Sequence, residues 1–170
     1  PALCLLLGAV LTAVMPRPWH RAWPLAGATG ALIAAWRLPH DIAWTATVLG
    51  AELIWLRVDA LAYPFAVIFA LIAWLGALYA WSASRRCQVA ALVAAGAGLT
   101  IVLAGDWMTF YAGWELLAIA WAVIIADGDP REAWGGAYRY LLVHLVGGAL
   151  LLLGLALHVA DGGGMLVGPL

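Results

Sequence analysis

The chain is built mainly from apolar segments, and these segments constrain its fold more than any other feature. They cover approximately residues 2–15, 23–36, 59–81, 87–104, 106–126 and 134–160. A helix needs about 20 apolar residues to cross a bilayer, and the last four segments reach or approach that length while the first two are short. Hydrophobic residues make up 66% of the chain and charged residues 10%, whereas soluble domains are nearer roughly 45–50% and 25%. We therefore expect an all-α, polytopic integral membrane protein with about six transmembrane helices in one membrane domain, residues 1–170.

The connectors between these segments differ in positive charge. The chain has no lysine, and a six-helix topology puts six arginines on one side of the membrane and two on the other. The six are Arg17, Arg21, Arg85, Arg86, Arg131 and Arg139, and the two are Arg37 and Arg57. The positive-inside rule then places the arginine-rich side in the cytoplasm and the N-terminus outside it. We expect the inner membrane of a bacterium.

One long connector, residues 37–58, is the exception to the helical pattern. It contains two short runs rich in β-branched residues on either side of Gly50-Ala51. Such runs around a glycine favour a β-hairpin. We expect a small hairpin-like connector on the extracytoplasmic face.

A single carboxylate interrupts the fifth apolar segment. Glu115 lies near its middle, and no other charge occurs between Asp106 and residue 126. A charge at the bilayer centre costs about 2.5 kcal/mol or more on insertion scales. An interhelical hydrogen bond recovers only about 0.6 kcal/mol on average, which is less than that cost. We therefore interpret Glu115 as a functional, proton-binding residue rather than a packing residue.

Depth along the helices indicates which side chains accompany Glu115. It lies about 16 Å from the arginine-rich end of its helix, and His144 lies about 15 Å from the same end of the next, antiparallel helix. Histidine exchanges protons near neutral pH, so His144 is either a proton relay or a buried packing residue. Gly147 and Gly148 follow one turn later and would allow another helix to approach. Arg139 is only about 8 Å deep, so it is either a membrane anchor or an electrostatic control on Glu115.

The sequence lacks the short motifs that mark common enzyme, nucleotide-binding and metal-binding sites. It contains no glycine-rich phosphate loop, no nucleophile elbow, no HExxH and no ligand set for heme or an iron–sulfur cluster. We expect no catalytic residues, no metal site and no cofactor, hence a transporter subunit rather than an enzyme. The net charge of −1 argues against a nucleic-acid partner.

Three stretches together resemble the antiporter-like subunits of Mrp-type cation/proton antiporters, respiratory complex I and membrane-bound hydrogenases. RVDALAYPFAVIFALIAWLGALYAW resembles their third span, GDWMTFYAGWELLAIAWAVII the fifth, and GGAYRYLLVHLVGGALLLLGLAL the sixth. The resemblance covers roughly residues 57–157 and is strongest to the D-type member of the Mrp antiporters. It implies that Glu115 is the fifth-span glutamate of the proton path. The family often has lysine where Arg139 stands, and arginine holds its proton too tightly to shuttle it, so a fixed-charge role is implied.

The resemblance also implies that the chain corresponds to the N-terminal part of such a subunit. The family's seventh-span lysine has no counterpart before Leu170, and both ends of the chain have the character of a fragment or a split subunit. The implied function is proton translocation, or antiport of H⁺ against a cation such as Na⁺, together with other membrane subunits. The alternatives are a proton-pumping subunit of a complex I-like oxidoreductase or hydrogenase, and a non-conducting assembly subunit.

Overall fold

The protein is mostly helical. Its structure is a computed structural model that describes residues 1–16, 19–39, 42–48, 51–128 and 132–167. The helices are α1 (Ala2–Val14), α2 (Ala22–Trp36), α3 (Ala62–Tyr79), α4 (Arg85–Val102), α5 (Trp107–Ala126) and α6 (Ala133–Ala160). Strands β1 (Ile42–Val48) and β2 (Ala51–Val58) pair antiparallel between α2 and α3. The expected polytopic helical membrane fold with a hairpin connector is confirmed.

Four helices of the described chain are long and apolar enough to cross a membrane. They are α3 with the 3-10 turn that extends it to Ser82, and α4, α5 and α6, with mean hydropathies from 1.2 to 2.2. Helix α1 is apolar but has 13 residues, and α2 has 15. The expected count of about six spans is therefore approximate, since the two N-terminal helices fall short of the usual length.

Helix α4 lies at the centre of the bundle. It packs against α1, α3 and α5, and its buried positions are mostly alanine and glycine. Small residues allow neighbouring helices to approach closely, which is how helices associate in a lipid environment. Among the four candidate spans it has the lowest mean hydropathy, 1.2, because it faces protein on several sides rather than lipid.

Helices α1 and α2 cross at a contact between two glycines. A Cβ atom added to Gly8 would lie 3.0 Å from the Cα of Gly27, and one added to Gly27 would lie 2.9 Å from the Cα of Gly8. Both distances are shorter than a normal carbon–carbon contact of about 3.5–4.0 Å. The two backbones therefore touch, and neither position has room for a side chain.

Asp106 joins several segments at the hairpin end of the bundle. Its side chain is fully buried and caps α5 by accepting a hydrogen bond from the Thr109 amide at 2.7 Å. Its second oxygen accepts from the Ile54 amide in β2 and from the Thr109 hydroxyl, both at 2.7 Å. Next to it, Trp107 donates its amide to the carbonyl of Met165, beyond α6. The hairpin, the start of α5 and the segment after α6 are thus held together.

The opposite end carries the described arginines of the arginine-rich connectors, while Arg17 and Arg131 lie outside the described residues. Arg85 donates to the carbonyls of Ala13 and Met15 at the end of α1, at 3.2 and 3.0 Å. Ser84 caps α4 and its hydroxyl hydrogen-bonds Asp127 at the end of α5. The ends of α1 and α5 therefore meet the start of α4, which gives the alternating helix directions assumed in the depth comparison.

Candidate functional site

Helix α5 lies between α4 and α6 and presents a different face to each. The residues that it buries are small, namely Gly113, Ala118, Ala120 and Ala122. Tyr111 and Glu115 are one turn apart on the face that meets α6. Glu115 is the ninth of the 20 residues of α5, so it lies near the middle of a candidate span.

The Glu115 carboxylate is partly buried and faces His144. Its Oε1 atom lies 4.0 Å from Nε2 of His144, and the two side chains are 33% and 14% exposed. The Tyr111 hydroxyl lies beside the same carboxylate, and both groups face Gly148 of α6. The structure therefore brings together the carboxylate and the imidazole that the sequence placed at equal depth, and it adds a phenol beside them.

The His144 ring is held between aromatic side chains. It stacks on Trp114, with ring centroids 5.6 Å apart and an angle of 27° between the planes, and Tyr140 lies 6.0 Å away on the preceding turn of α6. Its Nε2 atom is buried and has no hydrogen-bond partner among the described residues. At 4.0 Å the Glu115 carboxylate is too distant for a hydrogen bond, but it forms an ion pair with the ring when the ring is protonated.

Gly148 brings the backbone of α6 against the carboxylate. A Cβ atom added there would overlap Oε1 of Glu115 and would lie 3.7 Å from the Tyr111 hydroxyl oxygen. The glycine pair after His144 was expected to admit a neighbouring helix, and of the two it is Gly148 that meets α5. A Cβ on Gly147 meets no atom within 4 Å.

Arg139 is not part of this cluster. It is the seventh residue of α6, it is exposed, and it makes no hydrogen bond or ion pair with any described residue. The next residue, Tyr140, faces His144 instead. The structure thus brings Glu115 and His144 together and leaves Arg139 nearer the arginine-rich end.

Sequence reasoning missed Tyr111. Its signal was present, since a residue four positions before Glu115 lies on the same face of the helix one turn away. Tyrosine is common in membrane proteins at the bilayer surface, so the residue type alone did not mark a mid-membrane role. The cluster as a whole offers one carboxylate, one imidazole and one phenol, three groups that can bind or donate a proton.

Two solved structures of respiratory complexes contain a chain that is similar to this one. The sequence matches no family model and no curated protein. The structure is similar to a chain of the membrane-bound sulfane sulfur reductase, an archaeal respiratory membrane complex, with a TM-score of 0.75 and 21% identity over 97% of this chain. It is equally similar in fold to a chain of respiratory complex I from Thermus thermophilus, with a TM-score of 0.75 and 27% identity over 95% of this chain.

The fold occurs in chains of two respiratory complexes. The chain spans 28% and 36% of the length of the two matched chains, so it corresponds to part of each. These similarities show that the chain shares its fold with part of a chain in each of these complexes. They do not single out the D-type member of the Mrp antiporters among its relatives.

Proposed function

We propose that the chain translocates protons across the membrane, in exchange for a monovalent cation such as Na⁺, as the D-type member of an Mrp-type antiporter. The observation that carries this proposal is the mid-span Glu115 carboxylate, 4.0 Å from the buried Nε2 of His144. An ionisable group at that depth is costly, and a transport pathway is the usual reason for one.

Glu115 accepts and releases the proton in this mechanism. His144 passes a proton to it or receives one, because an imidazole changes charge near neutral pH and its Nε2 has no competing partner among the described residues. The Tyr111 hydroxyl lies beside the carboxylate and can donate a hydrogen bond to its charged form. Arg139 supplies a fixed positive charge about 7.5 Å along α6 from His144, on the side of the arginine-rich end.

The arginine distribution supports an orientation for this pathway. We place the arginine-rich end in the cytoplasm, and the hairpin and N-terminus outside, in the inner membrane of a bacterium. Helix α6 buries only Ala133, Ala137 and Gly148, so most of its surface is available to lipid or to other membrane subunits. Coupling of proton flow to cation flow requires such further spans and subunits.

The alternative is a proton pump driven by redox chemistry in another subunit. The similarity to a chain of Thermus thermophilus complex I favours it specifically. The two functions are distinguished by the subunits that copurify with the chain. Small hydrophobic subunits indicate an antiporter, and subunits containing iron–sulfur clusters or flavin indicate a redox-driven pump.

The decisive experiment replaces Glu115 in the assembled complex and measures ion-driven proton exchange in membrane vesicles. Glu115→Gln removes the titratable group at nearly constant volume, and we expect exchange to fall by about a hundredfold. Glu115→Asp keeps a carboxylate and should retain part of the rate. Full exchange by the glutamine variant, at equal assembly, would falsify this role and favour a non-conducting subunit.

A further inference from the structure

A second group of charged residues lies at the hairpin end of the bundle, in a cavity of about 590 Å³. The cavity is bounded by the starts of α3 and α5 and the end of α4, and both Arg57 and Asp59 line it. The other described lining residues are apolar or aromatic. Neither Glu115 nor His144 is among them, so the cavity is separate from the proton site.

Arg57 is held in this cavity by backbone groups. Its amide donates to the carbonyl of Leu103 at 2.7 Å, and its Nη1 donates to the carbonyl of Val167. The remaining N–H groups of the guanidinium have no partner among the described residues. A guanidinium is suited to bind phosphate through two parallel hydrogen bonds. Arg57 is therefore a fixed cation with donors available for an anion.

Asp59 is also fixed by the backbone. Its Oδ1 atom accepts from the amides of Leu61 and Ala62 at 3.0 and 2.7 Å, at the start of α3. Its Oδ2 atom has no hydrogen-bond partner among the described residues. No ion pair joins Asp59 to Arg57, although both line the same cavity. The cavity thus presents a cation and an anion that do not neutralise each other.

The apolar part of the cavity lies just below these two charges. Phe65 and Phe110 are the fourth residues of α3 and α5, so this part reaches about 5 Å, one helical turn, into the spans. Leu61 and Phe65 are 70% and 46% exposed, so the cavity opens to the surface of the bundle. Charges at the membrane surface above apolar walls match a molecule with a charged head and apolar chains.

We propose that this cavity binds the head of a zwitterionic phospholipid that has a primary amine. The phosphate lies against Arg57 and the ammonium donates to Oδ2 of Asp59. The glycerol and the first carbons of the chains cover Phe65 and Phe110, and the chains continue along the apolar surface of α3. Two opposite charges in the head match the two unpaired charges of the cavity, whereas a lipid with one net charge matches only one of them.

The test measures phospholipid binding to the protein purified from membranes in detergent, by native mass spectrometry. Phosphatidylethanolamine is compared with phosphatidylcholine, whose methyl groups remove the N–H donors but keep both charges. We expect one saturable site at which phosphatidylethanolamine binds about tenfold more tightly. Equal binding of these two lipids, or tighter binding of the anionic phosphatidylglycerol, overturns the proposal.

Asp59→Asn tests the contact with the ammonium. Asparagine keeps an oxygen that can cap α3 but removes the charge, so the preference for phosphatidylethanolamine over phosphatidylcholine should disappear. The preference is a ratio, so it does not depend on the stability of the variant. Asp161 is exposed at the end of α6 and does not line the cavity, so Asp161→Asn should keep the preference. A preference that survives Asp59→Asn rules out this role of Asp59.

Arg57→Gln tests the contact with the phosphate. We expect both lipids to bind about tenfold to a hundredfold more weakly. Arg37 is the other arginine at this end, is exposed and does not line the cavity, so Arg37→Gln should bind both lipids normally. Unchanged binding by Arg57→Gln contradicts the proposal. If that variant does not fold, the unmodified protein and Asp59→Asn still decide the question.

Glycerophosphoethanolamine distinguishes a lipid from a soluble zwitterion. It has the same head without the chains, so it loses the apolar contacts and should displace the lipid only at a concentration about a hundredfold higher or more. Displacement at an equal concentration would identify the occupant as a soluble solute and overturn the assignment to a lipid.

Discussion

Two acids nine residues apart, Asp106 at the N-cap of helix α5 and Glu115 near its middle, have opposite surroundings. Asp106 is fully buried and accepts three hydrogen bonds, one each from the Ile54 amide, the Thr109 amide and the Thr109 hydroxyl. Glu115 is partly exposed, lies beside the Tyr111 hydroxyl, and faces an imidazole nitrogen 4.0 Å away. A carboxylate with all its partners in place stabilises one conformation. A carboxylate with few partners keeps the freedom to gain and lose a proton.

The largest expected effect is on stability, from Asp106→Ala. It removes the cap of α5 and leaves the Ile54 amide without its acceptor, so we expect a loss of about 3 kcal/mol in the free energy of unfolding. Thermal unfolding of the purified protein measures it. The matched variant Glu115→Gln should change stability by less than about 1 kcal/mol while exchange falls about a hundredfold. Equal destabilisation by the two variants would remove the contrast between the acids.

Gly148→Ala should have the next largest effect. The added methyl overlaps Oε1 of Glu115, which is the far end of a flexible side chain, so we expect the carboxylate to turn away from α6 with little loss of stability while proton exchange falls about tenfold to a hundredfold. Gly147→Ala adds the same methyl where no atom lies within 4 Å, and it should leave both stability and exchange unchanged. Thermal unfolding and vesicle exchange are measured on both. A neutral Gly148→Ala would show that the carboxylate does not lie against α6.

Tyr111→Phe should affect exchange more than stability. It removes the hydroxyl beside the Glu115 carboxylate, which can donate to the charged form, so we expect a decrease of about tenfold in the rate. Tyr140→Phe is the control, because Tyr140 contacts the His144 ring rather than Glu115. The initial rate of exchange in vesicles distinguishes them. A greater loss from Tyr140→Phe would place the sensitive hydroxyl on α6 instead.

Arg139→Gln should have the smallest effect. The side chain is exposed and has no described partner, so water and ions screen its charge. We expect a change of about twofold in the exchange rate, larger at low salt than at high salt. Arg139→Lys should match the unmodified protein, since it keeps the charge. A loss as large as that of Glu115→Gln would make Arg139 part of the proton path.

The sequence predicted the helices and the hairpin, because the structure of each follows from the residues within that segment. Apolar length predicted the helices, and β-branched runs predicted the hairpin, because both properties act over neighbouring residues. Depth counting placed Glu115 and His144 at one level because consecutive membrane helices run antiparallel. The contact of Asp106 with Ile54 joins segments 52 residues apart in sequence, and no local pattern indicates it.

The contact between Gly8 and Gly27 limits how this chain can vary over evolution. In most helix pairs, a larger residue on one helix is accommodated by a smaller one on the other. Here both partners already lack a side chain, so neither has an atom left to remove. A substitution at either glycine therefore has no compensating change at the other. Helices α1 and α2 can change in sequence elsewhere, but both must keep glycine where they cross.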